Sequence, residues 1–178
     1  MDPVIDAALR TGLSVLFLAA AVHKLRDLAR FRATLAEYHL LPPRLVPFGA
    51  IALVAAELGL AVTLVAPPLR TASLVAAAGL LLIYGGAMAV NLARGRRHID
   101  CGCAGPAARR PISGGLVARN AVLVAAALGG LLPVSPRPLF WVDAVTVLGA
   151  TATLATLYAA LDRLLALAPT RAMLRGGT

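Results

Sequence analysis

The sequence predicts an all-α, polytopic membrane helix bundle, on three observations. Of 178 residues, 60% are hydrophobic and 14% charged, against about a quarter charged in an ordinary soluble domain. The mean hydropathy is +0.83. The apolar residues also gather into five runs near the roughly 20 residues that carry an α-helix across a hydrocarbon layer. This composition excludes a disordered chain, a collagen-like repeat and a water-exposed enzyme of ordinary surface. Two cysteines are too few for a disulfide framework. The +9 net charge lies between the apolar runs rather than along one face. The bases therefore read as flanks of membrane helices, and no nucleic-acid partner is expected.

The first span is expected at about residues 4–22, with Asp6 and Arg10 inside it. A cleaved signal peptide is the competing reading there, but such a peptide opens on bases, and the first nine residues hold Asp2, Asp6 and no base. The second span, about 45–65, has Pro47 in its first turn and one internal acid, Glu57. The third, about 71–92, has no charge. The fourth, about 115–132, is short and holds Arg119 and Asn120 near its start; the fifth, about 139–161, holds Asp143 near one end. Small-residue pairs, Ala55 with Gly59 and Ala125 with Gly129, are expected to mark close helix packing. Trp141 reads as an interfacial anchor and Asp143 as structural.

The bases set an orientation. The connections after spans one and three carry five each and the C-terminal tail three, against one in each of the other two connections. Thirteen against two places the N-terminus outside and the tail, with both basic connections, in the cytoplasm of a multi-pass cell-membrane protein. The first basic connection, about 24–40, repeats apolar residues at Leu25, Leu28, Phe31, Leu35 and Tyr38, in steps of three and four. This is an amphipathic helix ended by Pro42-Pro43. It either lies on the anionic leaflet or docks on its own bundle. His23 and Lys24 before it read as ordinary flanks.

Chemistry concentrates in the second basic connection, about 94–113, which contains both cysteines, Cys101 and Cys103, one residue apart. Gly102 between them lets the backbone turn tightly enough to bring two sulfurs together. A disulfide closed over so short a ring is strained and labile, and nearby Arg96 and Arg97 favour the attacking thiolate. A redox pair is one reading. Lipidated or inert thiols are a second. A metal site with His98 and Asp100 is a third, though the usual Cys-x-x-Cys spacing is missing.

An acid mid-span costs several kcal/mol unless it is neutral, paired or facing water. Glu57 is therefore expected to be protonated or to meet a base such as Arg119 inside the bundle. Arg119 either snorkels to the interface or completes a polar pocket with Glu57 and Asn91. No phosphate-binding, haem, zinc-protease or serine-hydrolase motif is present, and no cofactor or metal is evident.

At these residues the chain resembles the methylamine-utilisation protein MauE family, a relative of DoxX-like membrane proteins. The resemblance covers about residues 5–133. It rests on His23-Lys24-Leu25 with Phe31 and Tyr38, then Leu41-Pro42, Glu57-Leu58-Gly59 and Arg94-Gly95. Cys101-Gly102-Cys103-x-Gly105 and Arg119-Asn120 complete it. Ala104 stands where the family usually has Phe. The resemblance implies a four-helix MauE-like core over residues 1–133, with 134–178 adding a fifth transmembrane helix and a basic tail. It further implies maturation of the disulfide-rich small subunit of methylamine dehydrogenase, with Cys101 and Cys103 as a redox pair. Glu57, Arg119 and Asn120 would support that pair. A thioredoxin-like partner and an exported, disulfide-containing client are implied too, in a membrane thiol–disulfide oxidoreductase or a maturation accessory factor. Such a role needs the cysteine loop reachable from outside, whereas the base count puts it inside. A small-solute carrier using Glu57, Asn91 and Arg119, or a membrane scaffold, would need no paired thiols.

Overall fold

The computed structural model describes the backbone of residues 1–102 and 111–175, and the side chains of these except 162 and 165–175. Among the described residues six α-helices follow in order: α1 (Pro3–Arg26), α2 (Leu28–Glu37), α3 (Val46–Thr63), α4 (Arg70–Ala93), α5 (Gly114–Gly129) and α6 (Trp141–Arg175). The described residues contain no β-strand, only an isolated bridge between Asp100 and Pro111.

Local chemistry sets the helix ends. Asp2 caps α1 by accepting the Val4 N–H at 2.8 Å, with Pro3 preorganised at the first helical position. Asp27 leaves helical geometry at φ −146°, ψ 71° and accepts the Arg30 N–H at 3.0 Å, so it closes α1 and caps α2 together. The connector expected from Lys24 is therefore two pieces. Lys24 to Arg26 finish α1, and α2 starts at Leu28, because a capping aspartate interrupts an apolar spacing that is itself continuous. After α2, Pro42 and Pro43 enforce a 3-10 turn (Pro43–Leu45) that redirects the chain into α3.

The burial pattern is that of a membrane protein. Asp6, Arg10, Lys24, Glu57, Asn91, Arg119 and Asn120 are buried, while Phe48, Ile51, Val62, Leu82, Ile83, Val122 and Leu148 are exposed. Water would penalise both halves of that arrangement, whereas hydrocarbon accepts the apolar exterior. Among the described residues, four helices are long and apolar enough to cross a bilayer: α1, α3 with its leading turn, α4, and α6 through Leu161. The fourth apolar run is shorter than expected, because α5 stops at Gly129 after 16 residues. The fifth is longer, since α6 continues past 161 to Arg175. The chain is thus a multi-pass, all-α membrane bundle.

The core is a central cluster of Leu13 and Phe17 from α1, Leu60 from α3, Leu74, Ala77 and Leu81 from α4, and Ala127 from α5. Its alanines let the helices approach closely. Gly85 of α4 faces Asn120 of α5, and an added Cβ there would sit 3.4 Å from Asn120 Cβ. The small-residue pairs expected at interfaces lie elsewhere. Ala55, Gly59 and Ala125 are exposed, and neither Gly59 nor Gly129 has a described neighbour where a Cβ would stand. The bundle uses Gly85, Ala77 and Ala127 instead. The last span, α6, packs on α1 through Thr11 and Thr151, whose hydroxyls are 2.8 Å apart.

Candidate functional site at the cysteine-loop end of the bundle

Both basic connections meet at one end of the bundle, where α1, α2 and the loop after α4 converge. Gly95 at φ +76° turns the chain out of α4. The loop then returns beside itself, with Ile112 N–H donating to Ile99 O at 2.9 Å. Ile99, Cys101 and Ile112 form an apolar cluster with Tyr38, Met88 and Leu116, so the base of the loop is packed rather than dangling. Cys101 is 9% exposed. Cys103, its expected partner, lies outside the described residues.

Gly102 shows why the residue between the cysteines is glycine. Its φ is +70°, a region that costs a residue with Cβ about 1–2 kcal/mol. A Cβ there would stand in ordinary contact with Thr34 Cγ2 at 3.4 Å and the Phe31 ring at 3.6 Å, so the backbone conformation, and not lack of space, selects glycine. The turn is thus seated on α2. Arg30 of α2 reinforces the seat through an ion pair with Asp100 at 3.2 Å.

Directly beneath lies a buried ionic cluster that the sequence reading places differently. Glu57 is fully buried and pairs with Lys24, which is 4% exposed. Tyr84 donates its hydroxyl to the same carboxylate oxygen, Oε1, at 2.8 Å. The Lys24 ammonium sits 5.2 Å from the Phe31 and 5.2 Å from the Tyr84 ring centroid, within range of a cation–π attraction. Among the described residues no donor reaches Glu57 Oε2. Glu57 therefore meets a base inside the bundle, as expected, but the base is Lys24 and not Arg119. Lys24 is no ordinary flank, because the only acid in α3 draws its ammonium inward. A narrow cleft runs down to Lys24 between His23, the α2 face carrying Arg30 and Thr34, and the loop at Asp100 and Gly102.

The other expected site residues have partners of their own. Arg119 is buried rather than snorkelled, with its guanidinium 5.1 Å from the Tyr158 ring centroid of α6. Asn120 donates to Leu116 O at 3.0 Å. Asn91 donates to Tyr38 O at 3.2 Å and Ala87 O at 3.1 Å, tying α4 to the end of α2. Among the described residues neither Asn91 nor Arg119 bonds to Glu57, so the three polar groups expected in a carrier pocket are engaged with different partners. Among the described residues no three His, Cys, Asp or Glu side chains gather as a metal would need.

Sequence reasoning missed Lys24, Tyr84 and the Arg30–Asp100 pair. The available signal was a single acid in one span and a lysine at the end of the preceding one. Asp143 has the structural role expected of it, pairing with Arg137 at 2.8 Å, while Trp141 opens α6 and is exposed.

A family model described as methylamine utilisation protein MauE matches residues 2–133, which span α1 to α5. Among curated proteins, "Methylamine utilization protein MauE" of Paracoccus denitrificans is 40% identical over 164 residues, covering 90% of this chain and 88% of its own. The Paracoccus versutus protein of the same name is 41% identical, covering 88% of this chain and 85% of its own. That of Methylophilus methylotrophus is 36% identical, covering 90% and 86%. No solved structure matches the chain. On the family match and on these similarities over most of both chains, the chain belongs to the MauE family.

Proposed function

We propose that this protein serves methylamine utilisation by thiol–disulfide exchange at Cys101 and Cys103, helping to form the disulfides of the methylamine dehydrogenase small subunit. The observation that carries this reading is the seating of Gly102. The residue between the two cysteines adopts a glycine conformation on a platform of Phe31 and Thr34. Such a platform fixes the backbone at Gly102, next to Cys101, and a fixed turn between two cysteines would preorganise a labile bond.

In the exchange, a client thiolate attacks the loop disulfide. The Cys101–Cys103 bond breaks and a mixed disulfide forms; the client's second thiol then closes its own S–S bond. The client is oxidised by two electrons, the loop is reduced by two, and the two client thiol protons end on the loop sulfurs. A thioredoxin-like protein in its disulfide form, on the same face, re-oxidises the loop by a second exchange: its own S–S bond breaks, the Cys101–Cys103 bond re-forms, and the two loop protons and two electrons end on the partner's thiols. The membrane is the cell membrane, and the reading requires the loop on its outer face, against the base count.

Membrane-impermeant maleimide applied to intact cells before and after mild reduction tests this. Labelling that appears only after reduction is the expected result. Labelling without reduction, or only after lysis, overturns it. Cys101→Ser and Cys103→Ser should each lower active methylamine dehydrogenase by at least about tenfold in a host lacking its own MauE relative.

A further inference from the structure

The exchange just described moves protons as well as electrons, and one buried ionisable pair takes no part in it. Lys24 and Tyr84 both donate to Glu57 Oε1, leaving Oε2 enclosed with no described donor. A buried carboxylate oxygen normally has a hydrogen-bond partner, so Oε2 is an open position for a proton. Lys24 lines a cleft that Asp100 and Gly102 of the loop also line, so the pair and the loop share one cleft. Towards the other end, the central apolar cluster with Phe17, Leu60 and Leu81 follows along the same helices.

We propose that Lys24 and Glu57 form a proton-exchange site that opens towards the cysteine loop and buffers the protons of its thiol chemistry. The proposal rests on the redox reading above. When the client reduces the loop, a proton released by a client thiol enters the cleft and binds Glu57 Oε2. The ion pair becomes an ammonium beside a neutral acid, and the proton leaves again by the cleft to a loop thiolate. No proton is gained or lost over the cycle. The other titratable or charged groups facing the pair are His23 and Asp27 at the end of α1, Arg30 of α2, Tyr84 of α4 and Asp100 of the loop. Asp27 caps Arg30 N–H at 3.0 Å and Arg30 holds Asp100 at 3.2 Å, so these three are already engaged. His23 is the remaining competitor.

The protein has two glutamates, Glu57 and the exposed Glu37. Carbon-13 glutamate in a Glu37→Gln background therefore marks Glu57 alone for infrared spectroscopy in proteoliposomes. A carboxylic C=O band that appears as pH falls, and shifts in deuterium oxide, is expected; its absence from pH 5 to 9 overturns the site. This reading uses no thiol and needs no substitution at the pair. Coupling is read from the pH profile of loop reduction by dithiothreitol. Glu57→Gln should slow reduction about 100-fold at neutral pH and remove one ionisation, the lower end of general acid–base assistance. A Glu57→Gln profile like the unmodified one, or the same loss in His23→Gln, overturns the coupling. A loop never reduced or oxidised in the unmodified protein defeats the redox reading instead, while the infrared result still decides the proton site.

Discussion

Two buried ionic clusters sit towards opposite ends of this bundle, and they are built differently. Near the chain's start, Asp6 gives each carboxylate oxygen its own arginine: Arg70 at 2.8 Å and Arg10 at 3.3 Å. Both guanidiniums spend further donors on helix-end carbonyls. Arg10 reaches Leu64 O at 2.7 Å, and Arg70 reaches Gly130 O and Leu132 O. The forked guanidinium suits this work, since it satisfies several acceptors in fixed geometry. Near the cysteine loop, Lys24 and Tyr84 crowd one oxygen of Glu57, and a cleft opens alongside. The arginine cluster braces α1 against the ends of α3 and α5. The lysine cluster leaves an acceptor open with a compact point charge beside it. A buried ionic group in a membrane protein is therefore judged by how fully its atoms are satisfied, not by its burial alone.

Three experiments sharpen or break this contrast. The largest effect belongs to Lys24→Met, which strands Glu57 and should cost about 3 kcal/mol in detergent unfolding. Adding Glu57→Gln should recover part of that loss; a double variant as unstable as the two single losses added together would show the pair uncoupled. Asp6→Asn comes next, at about 2 kcal/mol, because Arg10 and Arg70 keep their carbonyls. Loop reduction by dithiothreitol should keep its rate and pH profile there, and a changed profile would erase the distinction between the two ends. The smallest effect lies at the surface, where Arg137 hydrogen-bonds Asp2 at 2.9 Å and holds its carboxyl below the usual value. A depressed folded value adds stability above the ordinary carboxylate range and loses it as pH falls through that folded value. Melting curves should therefore lose slightly more between neutral pH and pH 3 in the unmodified protein than in Asp2→Asn.

The spans were legible because lipid tolerates few charges, so hydropathy alone separates helices from connections. The cysteines and Gly102 were legible because their chemistry is local. Lys24 was not, since a base at the end of an apolar run looks like a flank until α3 brings Glu57 beside it. The break at Asp27 was hidden for a related reason: Leu25, Leu28, Phe31 and Leu35 keep helical spacing across it, and only capping by the aspartate side chain divides them. Arg119 stood out as a charge within a span, yet its companion Tyr158 sits almost forty residues later, on α6. Contacts set by tertiary placement leave no mark in a linear spacing.

The brevity of α5 has a consequence for the surrounding lipid. Its 16 residues rise about 24 Å, against a hydrocarbon layer of about 30 Å. A helix this short matches the hydrocarbon layer only where the bilayer is locally thinner. Its first turn packs through Leu116 against Cys101, so the mismatch would fall at the end of the bundle that carries the cysteine loop.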